Sequence, residues 1–136
     1  MYFEDLTLYS YSEIHSGPNI YNIGWLDAKH SFPTGVVSED ILNKILKMCL
    51  KRVVGARGFH QCNICKNPPS GPEVPLGSFP VMTEQGELFL GSAEIRVLGE
   101  EGKIYAAPNL IYHYIKGHDY LPPQEFLDAV EQWEPI

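Results

Sequence analysis

The side chains best suited to chemistry in this sequence are Cys62 and Cys65, separated by two residues, and His113 and His118, separated by four. Thiolate sulfur and neutral imidazole nitrogen are the ligands a tetrahedral zinc ion prefers, at spacings of the C-x2-C and H-x3–5-H kind. A two-residue gap lets the chain fold back so that both sulfurs meet one ion. Each half alone is a common pattern, and the two together in one small chain are less so. His60 complicates the set: in an extended segment it shares a face with Cys62 and so stands as an alternative ligand. The expected ligands are therefore Cys62, Cys65, His113 and His118, with His60 able to replace one of the downstream histidines.

Other chemistry is thinner. A redox role for Cys62-Asn63-Ile64-Cys65 calls for a helix N-terminus after the first cysteine to lower its pKa, and prolines follow instead. A catalytic zinc keeps an open position and a nearby carboxylate, for which Glu94 is the candidate general base of a zinc-dependent hydrolase. No H-E-x-x-H, G-x-S-x-G, phosphate-binding loop or dinucleotide fingerprint occurs. Two thiolates also donate heavily to the ion and leave it a poor Lewis acid, which favours a structural site.

Those residues need a frame. At 136 residues, with 44% hydrophobic and 20% charged residues, the chain is expected to form a single domain over 1–136 with its own core. A net charge of −7 disfavours nucleic acid and anionic membranes as partners. The acidic start lacks the features of a signal peptide, and no apolar run reaches eighteen residues. Three cysteines without an export signal fit reduced thiols in a cytoplasmic protein.

A tyrosine- and serine-rich arm over 2–15 and a strand over 20–26 come first. The clearest helix runs from about Glu39 to Val54, with Ser38 as N-cap, Glu39 and Asp40 in its first turn, and Ile41, Leu42, Ile45, Leu46, Cys49 and Val53 on one face. Cys49 then belongs to the core. Residues 66–78 form a proline-rich surface loop. Strands follow near 79–83, 87–98 and 103–107, with Glu94 and Arg96 on the outward face. A second helix over Asn109–Lys116 begins after Pro108 and is stopped by Gly117, which would turn the chain and bring His118 round to His113. A third starts at Pro122-Pro123 and carries Phe126, Leu127, Val130 and Trp133. His15 and His30 fall in loops, facing solvent.

Several segments together carry a resemblance. They are Tyr2-Phe3-Glu4-Asp5-Leu6-Thr7, Asn22-Ile23-Gly24-Trp25-Leu26-Asp27, Phe32-Pro33-Thr34-Gly35 and Gly58-Phe59-His60-x-Cys62-x-x-Cys65, then Leu90 to Val97, Tyr105 to Pro108, Ile111-Tyr112-His113-Tyr114 and His118-x-Tyr120-x-Pro122-Pro123-x-x-Phe126. The chain resembles a family of small uncharacterised bacterial proteins over most of its length. The resemblance implies a bacterial cytoplasmic protein and transfers no functional residues.

The expectation is thus an α+β fold, a small antiparallel sheet flanked by three helices, with a zinc-binding Cys-x-x-Cys turn. A zinc-stabilised module that binds a protein partner is the function expected, and the zinc-dependent hydrolase using Glu94 is its rival.

Overall fold

The computed structural model describes residues 2–9, 19–50, 54–55, 62–65, 79–84, 86–91 and 93–133. The expected proline-rich loop at 66–78, together with His15 and His60, lies outside the described residues. In chain order the elements are β1 (Ile20–Asn22), α1 (Glu39–Leu50), β2 (Val54–Gly55), β3 (Phe79–Thr83), β4 (Gly86–Leu90), β5 (Ala93–Leu98), β6 (Ile104–Pro108), α2 (Ile111–His118) and α3 (Gln124–Gln132). The fold is α+β, as expected, with three helices and small sheets.

The sheet differs in detail from a single antiparallel one. Four strands run in the order β1-β6-β5-β2, and β3 and β4 form a separate antiparallel hairpin. β5 and β6 pair antiparallel, but β1 lies parallel to β6, with Ile20 opposite Ile104 and Asn22 opposite Ala106. Parallel strands need a long crossover, and here everything from Ile23 to Lys103 intervenes. The expected 87–98 strand is two strands, β4 ending at Leu90 and β5 starting at Ala93 in the other sheet.

The outer side of β1 is occupied. Leu8 bridges Tyr21, Phe3 bridges Trp25, and the Tyr9 N–H donates to the Ile20 carbonyl at 2.8 Å. The N-terminal arm therefore covers backbone groups that an open edge strand would leave unpaired. It also roofs one face of the sheet. Tyr9, Ile20, Trp25 and Ala106 pack together there, and the Trp25 indole N–H donates to the Ala106 carbonyl at 3.0 Å.

On the other face Ile95, Val97, Tyr105 and Ala107 meet the helices in the main core. α1 starts where its sequence says it should: the Ser38 hydroxyl accepts the Ile41 N–H, Glu39 and Asp40 sit in the first turn, and Leu42, Ile45, Met48 and Cys49 are buried. It ends at Leu50 rather than near Val54, which belongs to β2, and Val53 lies outside the described residues. α3 contributes Phe126, Leu127 and Val130, and the Phe126 ring meets Tyr105 edge-on with centroids 5.9 Å apart. Gly24, at φ +74°, lies where β1 leaves the sheet, and a Cβ there would stand 3.0 Å from Ile111 Cδ1. The chain thus crosses the start of α2 at a distance only glycine permits.

β5 is buried on both sides, which the alternation of its sequence hides. Glu94 and Arg96 do not face solvent. Glu94 is buried, accepts the Tyr9 hydroxyl at 2.5 Å, and sits 3.4 Å from an Arg96 guanidinium nitrogen. The Arg96 guanidinium lies over the Tyr9 ring, 4.7 Å from its centroid.

Phe126 is fully buried at the meeting of α3 and β6. Its replacement by Ala should cost about 3–5 kcal/mol through lost burial and the cavity left behind. Urea unfolding of the variant checks this, with an unchanged m-value expected beside a lowered midpoint.

Candidate metal centre

Cys62 and Cys65 occupy a short turn that is pinned from outside. The Asn63 side-chain oxygen accepts the Ala28 N–H at 3.1 Å, fastening the turn to the loop that follows Trp25 and Leu26. Cys62 is buried and Cys65 half-buried.

Both histidines lie on α2, which corrects the expected helix end. The helix runs through Gly117 to His118, and Asp119, at φ 57°, takes the left-handed position. Short polar residues such as Asp tolerate that conformation better than most. The last turn is wide: the N–H groups of Asp119 and Tyr120 both donate to the Tyr114 carbonyl, five and six residues back rather than four. In a regular α-helix residues five apart point about 140° away from each other. Widening the turn swings His118 back towards His113.

Gly117 has another use. A Cβ on it would stand 2.9 Å from His113 Cε1 and 3.1 Å from Nδ1. The glycine makes room for the imidazole, where the sequence had suggested a helix stop. On the ring's other contact, Phe79 from β3 stacks on His113 with centroids 3.7 Å apart and planes 26° apart. Neither Phe79 nor Asn63 carries a local mark of this role, since each acts through a contact distant in sequence.

The four groups converge. The ligand atoms of Cys62, Cys65, His113 and His118 all lie within 4.8 Å of one another. His118 Nε2 is 3.5 Å from Cys62 Sγ, 3.4 Å from Cys65 Sγ and 3.2 Å from His113 Nε2, and Cys65 Sγ is 3.1 Å from His113 Nε2. Zinc with Zn–S near 2.3 Å and Zn–N of 2.0–2.1 Å implies tetrahedral edges of about 3.6 Å for S···N and about 3.3 Å for N···N. These four separations come within about half an ångström of those edges, and the remaining pairs of the set lie within 4.8 Å. Both histidines offer Nε2, which leaves each Nδ1 to carry the proton.

Electrostatics agree with the geometry. Burial, then the neighbouring His118, lowers the His113 pKa to about 4, so its nitrogen is neutral and able to donate at neutral pH. Burial, then the hydrogen bond and charge of Cys62, push the Cys65 thiol up to about 11. Two thiolates side by side repel each other, and a divalent cation between them removes that penalty. The donor set therefore fits a metal ion that takes two sulfurs and two nitrogens in tetrahedral geometry.

Of the other residues singled out in the sequence, His60 is not among those described. Glu94 is kept apart from the cluster. Its neighbours Ile95 and Val97 share the main core with Cys62, Tyr114 and Ile115, whereas Glu94 points to Tyr9 on the opposite face. Among the described residues no carboxylate joins the four ligands. His30 is exposed, as expected, but bonds Asp27 at 2.7 Å and stacks on Tyr2. Cys49 is fully buried and donates its S–H to the Asn109 carbonyl, in keeping with a core residue.

Residues 1–131, nearly the whole chain, match the family described as "Domain of unknown function (DUF7919)". No curated protein and no solved structure matches the chain.

Substituting Ala for Gly117 separates the helix from the site. Helix propensity alone favours Ala by roughly 1 kcal/mol, while the new Cβ would press on the His113 ring. The expected outcome is metal affinity reduced by about tenfold or more, read by competition with a chromophoric chelator, because misplacing one ligand disturbs the whole shell. Unchanged affinity would mean the imidazole is free to move aside.

Proposed function

We propose that this chain, which belongs to the DUF7919 family, is a zinc-stabilised protein-interaction domain in which Cys62, Cys65, His113 and His118 hold one structural zinc ion. The observation that carries the proposal is the completeness of the set. Structural zinc sites use four protein ligands, and catalytic ones keep three and leave a position for water. Cys62 and His113 are buried, the His113 ring beneath Phe79, while Cys65 and His118 are half-buried. The hydrolase reading draws no support from Glu94, which is engaged by Tyr9 and Arg96 on the far face of the sheet.

An ion in this place would work as a staple. A structural zinc contributes on the order of 10–16 kcal/mol of apparent binding free energy, against roughly 5–15 kcal/mol for the whole stability of a typical domain. It would tie the cysteine turn, and through Asn63 the loop at Ala28, to α2.

The protein carries a net charge of −7. A hollow of about 580 Å³ between α3 and the 100–102 turn is lined by Glu100, Glu101, Glu125, Asp128 and Glu131, with Lys103 the lone cation among the described residues that line it. A partner presenting a basic surface suits this side. No described helix is long and apolar enough to cross a membrane.

Purified protein should carry one zinc per chain by elemental analysis, as a single tetrahedral site demands. Cys62→Ser should lower both zinc content and melting temperature, and a strong chelator should lower the melting temperature of the unaltered protein but change the variant little. Acid should release the ion, because thiolates and imidazoles bind protons in competition with metal. Metal-free protein with the same melting temperature would end the proposal. For the partner, salt-sensitive capture of a basic protein should be lost in a Glu125→Lys, Asp128→Lys double variant that keeps its zinc; capture indifferent to salt and to these changes would place the interface elsewhere.

A further inference from the structure

The N-terminal arm does more than cover β1. With the loop at 31–33 it encloses a hollow of about 230 Å³, away from the cysteine and histidine cluster. Tyr2, Phe3 and Phe32 give it aromatic walls, buried Leu26 an apolar one, and Glu4 and Asp5 are the charged groups among the described residues that line it. Pockets for drug-sized ligands run to about 300–1,000 Å³, so this one suits a group of only a few heavy atoms.

Asp5 is held firmly, but among the described residues no cation answers its charge. Oδ1 accepts the Gly24 N–H at 2.9 Å and Oδ2 accepts the Tyr120 hydroxyl at 2.7 Å. Both donors are neutral, and each carboxylate oxygen retains a further lone pair. Among the described residues Asp5 has no ion-pair partner. Burial raises the Asp5 carboxyl above its ordinary pKa, with Glu4 adding to the rise. The Tyr2 phenol is raised in turn by burial, then by Glu4, Asp5 and Asp27. Among the described residues no cation lowers the pKa of either group. His30 stacks on one face of Tyr2, but its own partner is Asp27, 2.7 Å away.

Aromatic faces beside a desolvated carboxylate are the surroundings that attract an organic cation, by ring quadrupole and by charge together. We propose that this hollow binds a small organic ammonium group, carried either by a free amine or quaternary ammonium compound or by the end of a lysine side chain. Asp5 supplies the counter-charge, and Tyr2, Phe3 and Phe32 supply the apolar and cation–π contacts. An anion is disfavoured by the two carboxylates, and a neutral group of the same shape would leave Asp5 unanswered.

The test titrates the full-length, metal-loaded protein at low ionic strength with choline and with its neutral carbon isostere, 3,3-dimethylbutan-1-ol, following backbone amide shifts. Choline should saturate with a dissociation constant on the order of 1 mM, as fits a ligand this small, and should move the Gly24 amide. The isostere should bind at least about tenfold more weakly. Asp5→Asn keeps an acceptor for the Gly24 N–H and should weaken choline by about tenfold or more. Should that variant unfold, Tyr2→Leu, at a half-exposed position, decides by the same loss. A short peptide bearing trimethyl-lysine, run in parallel, tells the two sources apart by which of them binds more tightly. Equal binding of choline and the isostere, no saturable shift with any of the cations, or affinity unchanged in both variants overturns the proposal.

Discussion

Two sulfurs and two imidazole nitrogens from separate parts of the chain stand within 4.8 Å of one another, an arrangement that the polar groups themselves do little to favour. Thiolates repel each other, imidazolium ions repel each other, and neutral thiols make weak hydrogen bonds. The Cys65 thiol, held up near 11, and the His113 imidazole, held down near 4, register that cost in a protein without a cation. A divalent ion reverses every sign: it favours thiolate and neutral imidazole, the forms able to donate to it. Sequence, helix geometry and ring packing all converge on this one point, where an ion would add a direct link between the cysteine turn and α2 to the apolar packing they already share.

α2 is the element through which that link reaches the rest of the molecule. Its first residue, Ile111, is crossed at close range by Gly24. Just before it, Asn109 accepts the Gly91 N–H on its side-chain oxygen and donates its own N–H to Ala93, fixing both the end of β4 and the start of β5. At the other end, the widened turn that swings His118 inward also delivers Tyr120, whose hydroxyl reaches Asp5 in the N-terminal arm. The carbonyl of Asp119 accepts the Gly35 N–H, and the carbonyl of Pro33 accepts the Leu121 N–H. A candidate metal ligand, a backbone pairing and the floor of the arm thus follow one another within four residues, His118 to Leu121.

What could be read from the sequence was local. α1 was legible because its cap, its first-turn acids and its 3–4 periodicity all agree, and agreement between levels is what makes a local pattern trustworthy. The four candidate ligands were legible because metal chemistry restricts both residue type and spacing. The end of α2 was not: glycine near a helix end usually marks the cap, but here its missing Cβ serves the His113 ring, and Asp119 does the turning. The parallel pairing of β1 with β6 has no local mark either, since strands so far apart in sequence meet only once the core between them has formed. Phe79 on His113 and Asn63 on Ala28 escaped for the same reason.

Glu94 shows how alternation can mislead. Apolar and charged residues alternate along β5, which ordinarily means one wet face. The arm covers that face instead, and the Tyr9 hydroxyl, the Glu94 carboxyl and the Arg96 guanidinium meet beneath it. Burial, followed by the hydrogen bond and charge of Glu94, raises the Tyr9 phenol well above its usual range, with Arg96 pulling the other way. Replacing such a cluster by well-packed apolar residues is often neutral or stabilising, so the polar set is poor at adding stability. It is better at discrimination. Beyond its turn at 5–7 the arm bridges β1 at Leu8, and side chains alternate between faces there, so a slip of one residue would turn Tyr9 away from Glu94 and leave the buried carboxyl without its hydroxyl donor. An apolar roof would tolerate that slip. The polar one fixes a single register for the arm, and with it the positions of Phe3 against Trp25 and of Asp5 beneath Tyr120.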